Sequence, residues 1–173
     1  MKLRFTNQQA VNTWFDRVTH CADDDPSLGV YSANHRIMGR GHTLYSYGTH
    51  YPLARWFPEY RAFLTNTSHR RSSSTSKHQS YVRSAQPEST IDVGIIVGLD
   101  PVADAPKFLE HFENRIRRCL EKSRRARRHK SYWQERADFH LGTRLKFTRI
   151  FGVRAYELPE DVTAALVTLK LAA

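Results

Sequence analysis

Between Ala105 and Arg128 the apolar residues Phe108, Phe112, Ile116, Cys119 and Leu120 recur at three- and four-residue spacings. That is the pattern of a helix with one buried face. After Leu120 no large apolar side chain occurs until Tyr132 and Trp133, although the intervening residues are mostly good helix formers. The pattern predicts one long helix, anchored along its first half and exposed along its second. A second helix is predicted from about Tyr132 to Leu145, with Trp133, Ala137, His140, Leu141 and Leu145 inward, so that residues 105–145 form a helical hairpin.

The exposed half is also where the charge lies. Residues 115–130 read RIRRCLEKSRRARRHK, in which Arg115, Arg117, Arg118, Lys122, Arg124, Arg125, Arg127, Arg128 and Lys130 face a single acid, Glu121. The local net charge is +8, within a chain whose total is +10. On a helix Arg118, Lys122 and Arg125 share one face, and Arg117, Arg124 and Arg128 the adjoining one. Guanidinium forks match pairs of phosphate oxygens, and each neutralised phosphate releases counterions, which makes affinity salt-dependent. The run therefore points to nucleic acid, DNA or RNA, bound through its phosphate backbone. No base-reading motif is present to add sequence specificity. An acidic protein partner, a membrane surface, or a solvated helix face are the other readings of such a run. Tyr132 and Trp133 follow immediately, as stacking platforms for bases or as part of the core.

Around the hairpin the sequence predicts a single α+β domain over 1–173, with a small, mostly antiparallel sheet and an N-terminal helix. Thr6 and Gln9 stand at capping-box spacing, ahead of a helix over Asn7–His20 whose stripe is Ala10, Val11, Trp14, Phe15 and Val18. Residues 23–26, Asp-Asp-Asp-Pro, predict a turn. Short β-prone stretches follow at Val30–Met38, around Leu44, Tyr45 and Tyr47, and at Tyr60–Leu64. Gly39-Arg40-Gly41 reads as a turn, and Pro52 and Pro58 as limits on strand extension. Thr65–Ser76 holds eight Ser/Thr in twelve residues and reads as a surface loop, with Ser76 capping the helix after it. Thr90–Leu99, TIDVGIIVGL, is predicted to be the strongest and most central strand, and Lys146–Val153 a further one. Pro159 opens a last helix carrying Val162, Leu166 and Leu169.

Apolar residues at 40% and aromatics at 12% exclude a disordered tail. Cys21 and Cys119 form no C-x-x-C pair, which argues against a disulfide framework or a cysteine-rich zinc site and for a reducing, cytoplasmic setting. No stretch reaches the ~20 apolar residues of a membrane span. Five of the nine histidines fall between His35 and His78, but no H-x-x-x-H or H-E-x-x-H spacing occurs, and no metal site or cofactor is predicted. Nucleophile-elbow and phosphate-loop strings are lacking too.

Residues 45–54, YSYGTHYPLA, followed by Ser72, Thr75, Ser76, Lys77 and His78, carry one resemblance. They resemble a YSYG-x-H-[FY]-P-[IL]-A string preceding a YS-x-TTS-[KR]-H string in uncharacterised proteins of bacteriophages and other mobile elements. The chain departs from that pattern at Arg71, where an aromatic is usual, and at Ser74, where threonine is usual. The resemblance marks 42–85 as a unit and implies a phage or plasmid origin, hence the host cytoplasm, without implying an activity. It makes an inhibitor of a host defence or transcription protein an alternative to nucleic-acid binding. Ser46, His50, Ser76 and His78 are candidates for holding a phosphate at a helix N-terminus, or for a polar network that fixes the fold. A small metal-independent nuclease using His50 and His78 is the third reading.

Overall fold

The computed structural model describes residues 5–20, 29–67, 72–154 and 157–171, with side chains omitted at 165 and 168–171. The turn expected at 23–26, Cys21, residues 68–71 of the Ser/Thr-rich stretch and the side chain of Leu169 lie outside this description. Within 1–173, read above as one domain, the chain gathers into two compact units, 1–99 and 100–173.

The first unit begins with the capping box. Gln9 N–H donates to Thr6 Oγ1 at 3.3 Å, and Thr6 N–H donates to Gln9 Oε1 at 2.9 Å. Two orphan donors are thus satisfied reciprocally, and α1 runs Asn7–His20 with the expected stripe buried. It lies on a sheet of β1 (Val30–Tyr31), β2 (Ile37–Arg40), β3 (Thr43–Ser46), β4 (Tyr51–Phe57), β5 (Ala62–Thr65) and β6 (Thr90–Asp92), in that spatial order. All neighbours are antiparallel except β5 and β6, which are parallel and joined through α2 (Ser73–Ala85). A helical crossover is what a parallel pair requires.

Trp14, Phe15, Trp56 and Phe63 form the aromatic centre of this unit, with ring centroids 4.3–5.9 Å apart in tilted and edge-on pairs. A Cβ on Gly39 would stand 2.3 Å from Trp14 Cδ1, so glycine is needed there for close approach of the indole. Gly39 is accordingly inside β2, and the turn to β3 uses Gly41, at φ +50°, and His42. Pro52 does not stop β4. It pairs with Tyr45 beside a register shift at Leu44/Tyr45, where an absent N–H is tolerated.

The apolar run at 90–99 is not a central strand. Only Thr90–Asp92 pairs, at the sheet edge, and Gly94–Gly98 forms a 3-10 turn. Asp92 explains the stop: its Oδ1 accepts N–H groups from Thr67 (2.9 Å) and Gly94 (3.4 Å), and Gly94 takes φ +62°. Val93 and Val97 are buried while Ile95 is exposed, so the hydrophobicity serves an irregular segment.

The second unit is a helical hairpin with a brace. α3 (Ala105–Arg125) and α4 (Lys130–Phe151) pack antiparallel, with Phe108 and Phe112 against Phe147, Glu113 beside Arg144, and Lys122 beside Trp133. The strand expected at Lys146–Val153 is instead the end of α4. Phe147 and Phe151 continue the inward stripe of Ala137, His140 and Arg144, and Gly152 terminates it at φ +64°. α5 (Glu160–Leu171) follows, with Val162 buried against Ile116, Cys119 and Leu120. No helix of the described residues is long and apolar enough to cross a membrane.

Candidate nucleic-acid interface

The packing just described carries the basic run to the tip of the hairpin. α3 stays helical to Arg125, and Ala126–His129 turn the chain into α4, with His129 at φ +62°. Ser123, fully buried, closes the turn by donating from Oγ to the Lys130 carbonyl at 3.4 Å. The nine cations do not behave alike. Arg117 is committed inside the unit: Nε and Nη2 donate to Asp161 on α5 at 2.9 and 3.2 Å. These hydrogen bonds hold the Asp161 carboxyl below its ordinary range. Arg115 is half-buried and has a partner within the protein. Lys122 places Nζ 4.3 Å from the centroid of the Trp133 ring, a cation–π contact. Arg118 is exposed on α3.

Arg124, Arg125, Arg127, Arg128 and Lys130 are all exposed, and among the described residues none of the five forms an ion pair. No acid occurs between Lys122 and Gln134. Arg124 and Arg125 sit on the last turn of α3, where they complement its carbonyl ends. The first turn of α4 is different. It has a cation at its first position, no acid, and no side-chain cap from His129. A helix start normally attracts negative charge, and none of the described residues supplies it here.

Tyr132 and Trp133 keep an edge-on ring contact, with centroids 5.1 Å apart, but differ in burial. Trp133 packs on the cluster of Ile116, Cys119, Leu120, Ala137 and Val162, whereas Tyr132 stays 50% exposed.

Of the four candidates in the first unit, the structure brings two together. Ser46 Oγ and His78 Nδ1 lie 2.7 Å apart, both side chains buried, tying α2 to the end of β3. His50 is exposed in the turn after β3, and Ser76 is half-buried in the first turn of α2. The cap of that helix is Ser72, not Ser76. Its Oγ accepts the Thr75 N–H at 3.1 Å, so the serine run forms the first helical turn. His78 stacks between Tyr47 and Tyr81, at 5.1 and 6.3 Å. Burial, then the charges of Arg36 and Lys77, push its pKa below the ordinary 6.5. A neutral imidazole with its Nδ1 engaged by a buried hydroxyl is a structural latch more than an exposed reagent. Among the described residues no group of three or more His, Cys, Asp or Glu side chains converges to hold a metal ion.

The depressed pKa of His78 has a direction in stability. The unfolded chain takes up this proton near pH 6.5 and the folded chain only at lower pH. The contribution is therefore whole above 6.5 and is lost as pH falls through the window beneath it, by at most about 1.4 kcal/mol per pH unit. Urea midpoints at pH 7.5 and 5.5 should fall further for the parent than for His78→Gln. Equal falls would mean that His78 does not contribute.

No family model, curated protein or solved structure matches this chain.

Proposed function

We propose that the chain binds nucleic acid through its phosphate backbone, with the hairpin tip as the contact surface. The observation that carries this reading is the acid-free tip, where five exposed cations make no ion pair among the described residues. Like charges gathered on a rigid turn repel one another, and polyanion binding relieves that repulsion. The uncapped start of α4 adds backbone N–H donors to the same surface. Arg124, Arg125, Arg127, Arg128 and Lys130 make the contacts. Arg118 and Lys122 border them, and Arg115 and Arg117 serve the fold. The contacts are sequence-independent, because all five groups recognise phosphate and none is placed by a base-reading motif. The likeness of 42–85 to mobile-element proteins supports a phage or plasmid setting, in which the same tip would engage a polyanion in the host cytoplasm.

Salt dependence tests the proposal. Five phosphate contacts predict a log–log slope of about −3.5 on single strands and −4.5 on duplex, so affinity should fall roughly 100- to 500-fold between 50 and 200 mM salt. Fluorescence anisotropy with labelled oligonucleotides measures this. No binding to any oligonucleotide at 50 mM salt would refute the reading. A partner from host lysate that stays bound after nuclease treatment would favour a protein target in its place.

A further inference from the structure

The α4 helix is inverted at its middle. Its inward face buries His140 and Arg144, while Phe139 points outward and is 56% exposed. Phe139 is thus half-exposed beside a buried histidine, and it is not the only exposed ring on this face. Tyr132 lies seven residues earlier, two turns or about 10 Å away on the same face, and is 50% exposed. Arg136 stands between them, its guanidinium 5.4 Å from the centroid of the Phe139 ring. The stripe begins two residues after Lys130, where the acid-free tip ends its cluster of cations.

We infer that this stripe is a stacking platform for the bases of a single-stranded nucleic acid whose phosphates lie on the tip. The inference rests on the phosphate-binding reading and names the substrate class it serves. Three features point the same way. Aromatic faces two turns apart suit bases of one short continuous segment, and every base has a π-face, so no sequence is read. Duplex bases are already stacked on one another, so the rings gain nothing from an intact duplex. Glu135 and Asp138, both exposed, flank the rings on one side and repel phosphate. The strand's backbone therefore runs on the Arg136 side, with its bases turned toward the rings.

The test compares single-stranded and duplex oligonucleotides of equal length by anisotropy, using the full chain and variants Tyr132→Ala, Phe139→Ala and both together. Each single change should weaken single-strand binding roughly 5- to 150-fold. Duplex binding and the salt slope should stay at parent values, since the phosphate contacts are untouched. Tyr132→Phe and Phe139→Tyr should retain binding, which separates stacking from a loss of fold. If the parent binds both forms and the double variant binds single strands as tightly, the platform is wrong and the phosphate reading stands. If the parent binds neither form, both fail together.

Discussion

Replacing Arg124, Arg125, Arg127 and Arg128 with alanine should abolish nucleic-acid binding and leave the protein folded. Four exposed charge-assisted contacts of about 1 kcal/mol each sum to about 4 kcal/mol, or roughly a thousandfold in affinity. The log–log salt slope should fall in magnitude by about 3, because each lost phosphate contact removes 0.7 to 0.9 from it. Folding is little affected, since all four side chains are exposed and none is ion-paired among the described residues. The two on the last turn of α3 complement the helix dipole, which implies a destabilisation of at most about 1 kcal/mol per residue. Replacing the same four with lysine isolates the role of the fork. Charge and salt slope should persist, while affinity drops modestly because a point charge replaces a bidentate donor. Parent-like binding by the alanine variant would show that the tip is not the contact surface.

Whether an element was legible in the sequence depended on what its buried face is made of. α1 could be read from end to end because its stripe is entirely apolar and its capping box is local. The start of α3 was equally plain, and its exposed continuation followed from the loss of apolar residues after Leu120. For α2 the helix is legible but its start is not, because its buried stripe is Thr75, His78, Gln79 and Val82, helically spaced but mostly polar. Gln79 Nε2 donates to the Asn66 carbonyl at 3.0 Å, a tertiary bond that no local pattern announces. The end of α4 reads as a strand for the same reason, since His140 and Arg144 interrupt the inward stripe that Phe147 and Phe151 complete. At the tip the residue types were apparent but their division of labour was not. Arg117 looks like its neighbours until α5 brings Asp161 to it across 44 residues. Phe139 and Arg136 lay outside the basic run, and their spacing from Tyr132 was the available signal.

The presentation of the tip depends on a charge pair buried inside the hairpin, and breaking it should have the largest effect on stability. Arg144 Nη2 lies 3.3 Å from Glu113 Oε1, with side chains only 3% and 14% exposed. Phe112 on α3 and Phe147 on α4, each next to or one turn from a member of the pair, are fully buried. Glu113→Leu would take the carboxylate away from a buried guanidinium, and breaking such a pair costs up to about 3–5 kcal/mol. Changing both residues to leucine removes the buried cation as well and should recover more than half of that loss, as apolar replacements of buried pairs often do. Urea denaturation followed by far-UV circular dichroism measures both. A cost below about 1 kcal/mol for Glu113→Leu would mean that the pair contributes no more than a surface contact. Glu113 is eleven residues, about 16 Å of helix, from Arg124. The double variant should therefore bind nucleic acid with the parent's affinity and salt slope wherever it is folded, because the pair fixes the hairpin and the tip alone meets the ligand.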